Sequence, residues 1–237
     1  MTTAVLCVLV TLLLAPAAAA ANDAPADPNT LSAQEKADGW TLLFDGRNTD
    51  AWRGYRKDGF PSGWLVEDGV LIVTGGGGDL VTREQFADFE LSVDWQVGPR
   101  GNSGIMFRVA ETKNAPYETG IEMQILDNRL HPDGKNPLTS AGSCYALYAP
   151  LADVARPAGQ WNTARIVARG PKIQQFLNGE LVAEYEIGSA EWKQRIAGSK
   201  FRDWADFAKP TRGHIALQDH GDRVMFRNLK IRKLDAK

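Results

Sequence analysis

Apolar and polar side chains alternate with a period of two through most of the chain after residue 39. The alternation is cleanest in FELSVDWQV, residues 89–97, where Phe89, Leu91, Val93, Trp95 and Val97 fall on one face. Two further runs, 104–110 and 120–126, put Ile105, Phe107 and Val109, then Ile121, Met123 and Ile125, on inward faces. Their opposite faces carry Met106 and Arg108, and Glu122, Gln124 and Leu126. If the two runs are neighbours, Arg108, Glu122 and Gln124 line one surface, with Asp127 and His131 at its rim. Strands are also expected at 41–44, 143–148, 161–168, 172–177, 181–187, 213–217 and 223–234. Asp68-Gly69 splits WLVEDGVLIVT (64–74) into a hairpin, and Asn178-Gly179 joins two later strands in the same way. Residues 190–208 read as a helical or irregular insertion whose Trp192, Phe201, Trp204 and Phe207 cap a sheet end. Roughly eleven or twelve strands with almost no helix predict an all-β fold, two antiparallel sheets packed as a sandwich. No fixed-period repeat argues for a propeller, and no composition break divides 39–235 into two domains.

The first residues depart from this pattern. An apolar run over 4–14 and an alanine-rich stretch over 15–21 predict a secretory signal ending near residue 21, hence a secreted or periplasmic protein with no membrane contact after cleavage. Residues 22–38, rich in Ala, Asp, Pro and Asn, read as a flexible leader with a helical turn at 33–38. Removal of the signal takes Cys7 with it and leaves Cys144 alone, so no intramolecular disulfide is expected and core burial must hold the fold. Cys144, within an apolar strand, reads as a small core residue.

Composition narrows the partners. A net charge of −2 with scattered Lys and Arg gives no nucleic-acid footprint. The glycine run at 75–78 lacks the Lys-Ser/Thr of a phosphate loop and opens no helix, so neither a nucleotide nor a flavin is expected. An arginine, a carboxylate and an amide on one sheet face suit a polyhydroxylated ligand. The plain alternative is a solvated face with an Arg–Glu cross-strand pair. In residues 214–220, Ile215 and Leu217 point inward, so Gln218 and His220 point out of the sandwich at the strand end before Gly221.

The closing stretch GHIALQDHGDRVMFRNLKIRKL (213–234) resembles the end of the 3-keto-disaccharide hydrolase family. GWTLLFDGRNTDAWR (39–53), WLVEDGVL (64–71), GNSGIMFRV (101–109), YETGIEMQILDN (117–128) and NGELVAEYE (178–186) match it in the same order. The resemblance implies a concanavalin A-like jelly roll with a concave sugar-binding sheet, in an exported bacterial protein that cleaves glycosides already oxidised at C3.

A 3-keto sugar has an acidic C2 proton, because the resulting carbanion is delocalised as an enolate. Loss of that proton expels the C1 substituent, with or without later addition of water to the enone. The reaction needs a base near C2, a cation or donor at the C3 oxygen and an acid at the leaving oxygen. His220 and Glu122 are the candidates for base and acid, in either assignment. Arg108 is the candidate for the enolate charge, and Gln124, Gln218, Asp127 and Tyr145 for substrate binding. A divalent metal could replace the arginine, with Glu122, Asp127, His131 and His220 as possible ligands, although their spacing forms no recognisable zinc pattern. The E-x-D-x-x-E strand of sandwich glucanases is broken here by Gln124, which argues against a two-carboxylate glycosidase. Two other readings stay open: a non-catalytic carbohydrate-binding module, and a structural or cell-surface sandwich. The enzyme requires Glu122 and His220 to converge, whereas the module requires only an aromatic platform.

Overall fold

The computed structural model describes residues 27–235. Among them the alternating runs become thirteen strands and two short helices. In chain order these are α1 (Ala33–Ala37), β1 (Thr41–Leu42), β2 (Trp52–Gly54), β3 (Trp64–Glu67), β4 (Val70–Val73), β5 (Leu80–Thr82), β6 (Phe89–Val97) and β7 (Asn102–Val109). There follow β8 (Ile121–Leu126), β9 (Asn162–Arg169), β10 (Lys172–Leu177), β11 (Glu180–Glu186), α2 (Ala190–Ala197), β12 (His214–Leu217) and β13 (Val224–Lys233). The larger sheet runs β11-β10-β9-β6-β13-β4-β3, with β1 paired to β13, and the smaller runs β2-β5-β12-β7-β8. All of these pairings are antiparallel. The two expected hairpins form where Asp68-Gly69 and Asn178-Gly179 both take positive φ, the backbone a tight two-residue turn demands.

The sheets share one apolar core. Phe89, Leu91, Val93 and Trp95 of β6 are each at most 1 % exposed, as the alternation predicts, and meet Ile105 and Phe107 of β7 and Ile215 and Leu217 of β12. The fold is the predicted antiparallel sandwich. Its smaller sheet places β12, late in the chain, between β5 and β7 from the chain's first half. That order brings the closing motif beside the central one.

Several expectations need correction. Residues 143–148 are not a strand. They follow the free edge of β8 for only a few residues, with Gln124 N bonded to Ser143 O and Tyr145 N to Glu122 O. Ala146 then turns through φ +60 and Tyr148 folds back onto Cys144. The segment covers the β8 edge instead of extending the sheet. Strands β2 and β5 are too short to announce themselves by alternation. The leader is anchored where the structure describes it: Asn29 N and Asn228 N each donate to the other residue's side-chain oxygen, and Asn29 Nδ2 donates to Gly69 O. The glycine run is tethered too, since Gly77 N and Gly78 N both donate to Asp219 Oδ2, at 2.8 Å each. The predicted signal at 1–21 lies outside the described residues. Among the described residues, no helix is long and apolar enough to cross a membrane.

Candidate active site

The smaller sheet buries one face in the core and turns the other toward a covering layer of loops. Register fixes what lies on that outer face. Glu122 of β8 stands opposite Met106 of β7, which stands opposite Ala216 of β12. One step along, Gln124 stands opposite Gly104, whose carbonyl accepts from Gln218 N. Gly104 leaves a gap in this row and Glu122 leans into it, so closely that a Cβ on residue 104 would overlap the carboxylate. Here the glycine is required by space, since its φ is ordinary.

A cavity of about 260 Å³ opens on this face. Glu122, Gln124, Asn102 and Gln218 come from the sheet, and His220 stands exposed at its rim. Tyr145 arrives from the segment along the β8 edge, and Tyr117 from the turn before β8, its ring 5.8 Å from Trp204. Lys200, Phe201 and Phe207 complete the wall. They belong to the chain after α2, where Ser199 Oγ caps the 3-10 turn Lys200–Asp203 by accepting from Phe201 N. A stack of rings holds this wall. Phe201 lies 3.9 Å from Phe207, Phe207 lies 6.5 Å from Trp192, and Trp192 packs on Tyr185 and Tyr148.

Glu122 is the single carboxylate lining the cavity, and its oxygens have no hydrogen-bond partner among the described residues. Burial pushes its pKa up to about 7; Lys200 opposes that rise, while Asp79 and Asp133 add to it. Lys200, at the lip, has its own pKa lowered by desolvation against the opposing pull of Glu122 and Asp133. Asp79 is pushed up to about 6 by burial, although it accepts a 2.8 Å bond from Asp219 N. Asn102 Oδ1 and Gln124 Oε1 are buried without a protein partner. Such atoms are costly to leave unmet, and a ligand rich in hydroxyls would satisfy them.

Glu122, Gln124, Gln218 and His220 therefore converge, and Tyr145 joins them from the irregular segment along the β8 edge. Arg108 does not. β7 carries one extra residue against β12, so Val109 faces His214 while Met106 faces Ala216, and Arg108 takes φ +53 at the bulge. Met106 and Val109 thereby share the outer face with Tyr55 and Val81, and Arg108 turns away. Its guanidinium donates to Ala87 O and Gly170 O and lies 3.5 Å from Asp88. Asp127 is buried and accepts from Arg100 N and Arg129 N, which makes it a loop brace. His131 Nδ1 accepts from Asp133 N at the start of a 3-10 turn. With Asp127 and His131 so engaged, the four suggested metal ligands do not gather, and among the described residues no group of three His, Cys, Asp or Glu side chains forms a metal cradle. His214 is bonded to Thr82 O and Gln85, and Cys144 is buried with its thiol pushed up to about 12, so both are structural.

Sequence reasoning missed Lys200, Asn102 and Tyr117. Asn102 opens β7 in the same outward phase as Gly104, so alternation could have found it. Lys200 follows a helix in a segment with no period, and nothing local signals its direction.

Comparison with known proteins agrees with this architecture. Residues 39–232 match the model of the 3-keto-alpha-glucoside-1,2-lyase-like domain. A 3-keto-disaccharide hydrolase of Bacteroides thetaiotaomicron is 34% identical over 242 residues, covering 89% of this chain and 83% of that protein. The crystal structure of a glycosyl hydrolase candidate from Parabacteroides distasonis is 35% identical, covering 88% of this chain and 100% of that one, with a TM-score of 0.83. A Bacillus subtilis protein with a galectin-like fold, 11% identical, covers 90% of this chain and 97% of its own at a TM-score of 0.50, and shares the fold alone. With the match spanning nearly the whole sandwich, the chain belongs to the 3-keto-alpha-glucoside-1,2-lyase-like domain family.

Proposed function

We propose that this carbohydrate-active enzyme cleaves 3-keto-glycosides by removing the C2 proton and expelling the C1 substituent. One observation carries the reading: the cavity holds a single carboxylate, faced by an amine and otherwise lined by neutral groups and an exposed histidine. A two-carboxylate displacement lacks its second acid there. Elimination beside a ketone needs only one base, one positive charge and one acid. Glu122 serves as the base, because a carboxyl with a pKa of about 7 accepts a carbon-bound proton more readily than an ordinary one. Lys200 supplies positive charge at C3, the role first assigned to Arg108. His220, open to solvent at the rim, protonates the leaving oxygen. Asn102, Gln124 and Gln218 bond the remaining hydroxyls, and Tyr117 and Tyr145 flank the ring. The family description and the name of the curated relative support the 3-keto substrate. The steps proposed rest on this chain's own side chains alone.

We further propose that the protein acts outside the cytoplasm, in line with the apolar run at 4–14 and the alanine run after it. The functional test is release of a chromogenic aglycone by purified protein from a 3-keto-glycoside and from the parent glycoside. Release from the oxidised substrate alone is the expected result. Tight binding of both without release would make the protein a binding module.

A further inference from the structure

The proposed acid, His220, stands exposed at the cavity rim, and among the described residues nothing hydrogen-bonds its ring or its backbone. Its direction is therefore set by the chain on either side. That chain is pinned residue by residue. Gln218 N donates to Gly104 O at 3.0 Å, and Ser103 Oγ donates to Gln218 O at 2.9 Å. Gly221 N donates to Asp219 Oδ1 at 3.0 Å, and Asn102 N donates to Asp222 Oδ2 at 3.1 Å. Gly221 also packs on the glycine run so closely that a Cβ on Gly75 would lie 2.9 Å from Gly221 O. The remaining hold is on Asp219 N, one residue before the acid, which donates to Asp79 Oδ1 at 2.8 Å.

Asp79 ends the glycine run and precedes β5. That strand pairs with β12 in the register Leu80↔Leu217, so the next step of the antiparallel ladder sets Asp79 beside Gln218. Its own carbonyl accepts from Tyr55 N at 2.8 Å, which ties it to the chain after β2. The carboxylate is thus mounted at the end of a sheet strand, a firmer base than a loop. Asp219 Oδ2 in turn accepts from Gly77 N and Gly78 N, so each aspartate accepts from the backbone of the other's segment. Bonds from N–H to a carboxylate are among the stronger ones, and this one ends beside a residue with no other anchor.

We propose that Asp79 is a positioning residue for the acid step: by holding Asp219 N it aims His220 at the leaving oxygen. This rests on the elimination reading and makes a specific demand on it. A catalytic group misplaced by about 1 Å can lose about 10²-fold in rate. That loss falls only on leaving groups that need a proton. An alkoxide must be protonated as the C1–O bond breaks and its electron pair goes to oxygen, whereas a nitrophenolate departs as the anion. A general loosening of the site would slow both alike.

The test measures kcat and KM of the full protein on methyl and 4-nitrophenyl 3-keto-glucosides of one anomer, with sugar product followed by chromatography for both. The expected result is that Asp79→Ala lowers kcat on the methyl glycoside by about 10²-fold, with KM and nitrophenyl turnover each kept within about threefold. Asp79→Asn, which keeps an acceptor oxygen, should bring methyl turnover back to within about tenfold of wild type. His220→Ala should show the same selectivity, at about 10²–10⁴-fold. Adding Asp79→Ala to it should cost nothing more, because a residue that acts through His220 then has nothing left to aim. If Asp79→Ala does not fold, Asp79→Glu, which keeps the charge and moves the oxygens by one methylene, is measured instead with the same selectivity expected. Equal losses on the two glycosides, unchanged methyl turnover, additive losses in the double variant, or a His220→Ala protein without leaving-group selectivity overturns the role of Asp79 and leaves the elimination standing. Absence of release from every 3-keto-glycoside by wild type ends the elimination reading itself, and the role of Asp79 with it.

Discussion

At the scale of single residues, the account turns on Glu122, a carboxyl held at about pKa 7 in place of its ordinary 4.5. Two consequences follow with opposite signs. As a base it must be ionised, so kcat/KM should rise with pH through about 7, and Glu122→Gln should remove that limb and lower kcat by about 10²–10⁴-fold. As a group whose folded-state pKa exceeds its unfolded one, it holds a proton in the folded protein that the unfolded chain has released. Its contribution to stability is therefore present below pH 4.5 and is lost as pH rises toward 7. Glu122→Gln should flatten this part of the stability curve and raise Tm relative to wild type at pH 8, as thermal unfolding across pH will show. A lower Tm for the variant at pH 8 would mean that the carboxylate is better solvated than its surroundings suggest. Glu122 and Gln124 were readable in the sequence because strand alternation assigns a face to each side chain, and Gln218 and His220, just past the end of β12, from the phase of Ile215 and Leu217 before them. Arg108 was misread for the same reason: one inserted residue at a bulge reverses the phase, and a bulge without a glycine leaves no mark in the pattern.

At the scale of elements, the site depends on three pieces that are not strands. The closing motif LQDHG shares its work among its residues: Gln218 lines the cavity, His220 stands at the rim, and Asp219 clamps the glycine run through Gly77 N and Gly78 N. Asp219→Ala should cost about 1–3 kcal/mol by leaving two donors without their charged acceptor. It should also lower kcat/KM by loosening the loop that carries His220. Comparing kinetics with denaturant unfolding of the variant checks both, and unchanged kinetics in a destabilised protein would separate the clamp from the site. The sequence showed the glycine run as slack chain because its partner lies about 140 residues away. The wall carrying Lys200 was equally opaque. Its aromatic content announced burial, but the direction of the lysine is set by the ring stack from Tyr148 through Trp192 to Phe201. The segment at 143–148 was read as a strand from its apolar residues, whereas the backbone needs of the β8 edge decide its shape.

At the scale of the whole molecule, the sandwich was legible because its two inner faces demand long apolar alternation, and β6 shows the pattern without interruption. The pairing of sheets was not, since β12 enters between β5 and β7 through contacts that no local pattern encodes. Arg108 now reads as a tie between the start of β6, the β9–β10 turn and the bulge. Arg108→Ala should lose about 2–3 kcal/mol, or roughly 5–10 °C in Tm for a domain of this size, with kcat/KM kept in the folded protein. The anchored leader makes a similar claim. Deleting the chain before residue 39 removes the Asn29–Asn228 pairing and the Glu35–Lys230 ion pair, so Tm should fall while kcat/KM holds. Both variants are read by thermal unfolding alongside turnover, and a large kinetic loss in either would place part of the site outside the cavity described. The central claim is that the Glu122 cavity eliminates the C1 substituent of a 3-keto sugar. Its most direct test follows exchange of the C2 hydrogen for deuterium and aglycone release in D₂O, with wild type and Glu122→Gln side by side. The account predicts that wild type labels C2 or releases the aglycone from the 3-keto-glycoside and does neither with the parent glycoside, while Glu122→Gln does neither with both. Cleavage of the parent glycoside at a comparable rate, or C2 chemistry unaffected in a folded Glu122→Gln protein, would contradict it.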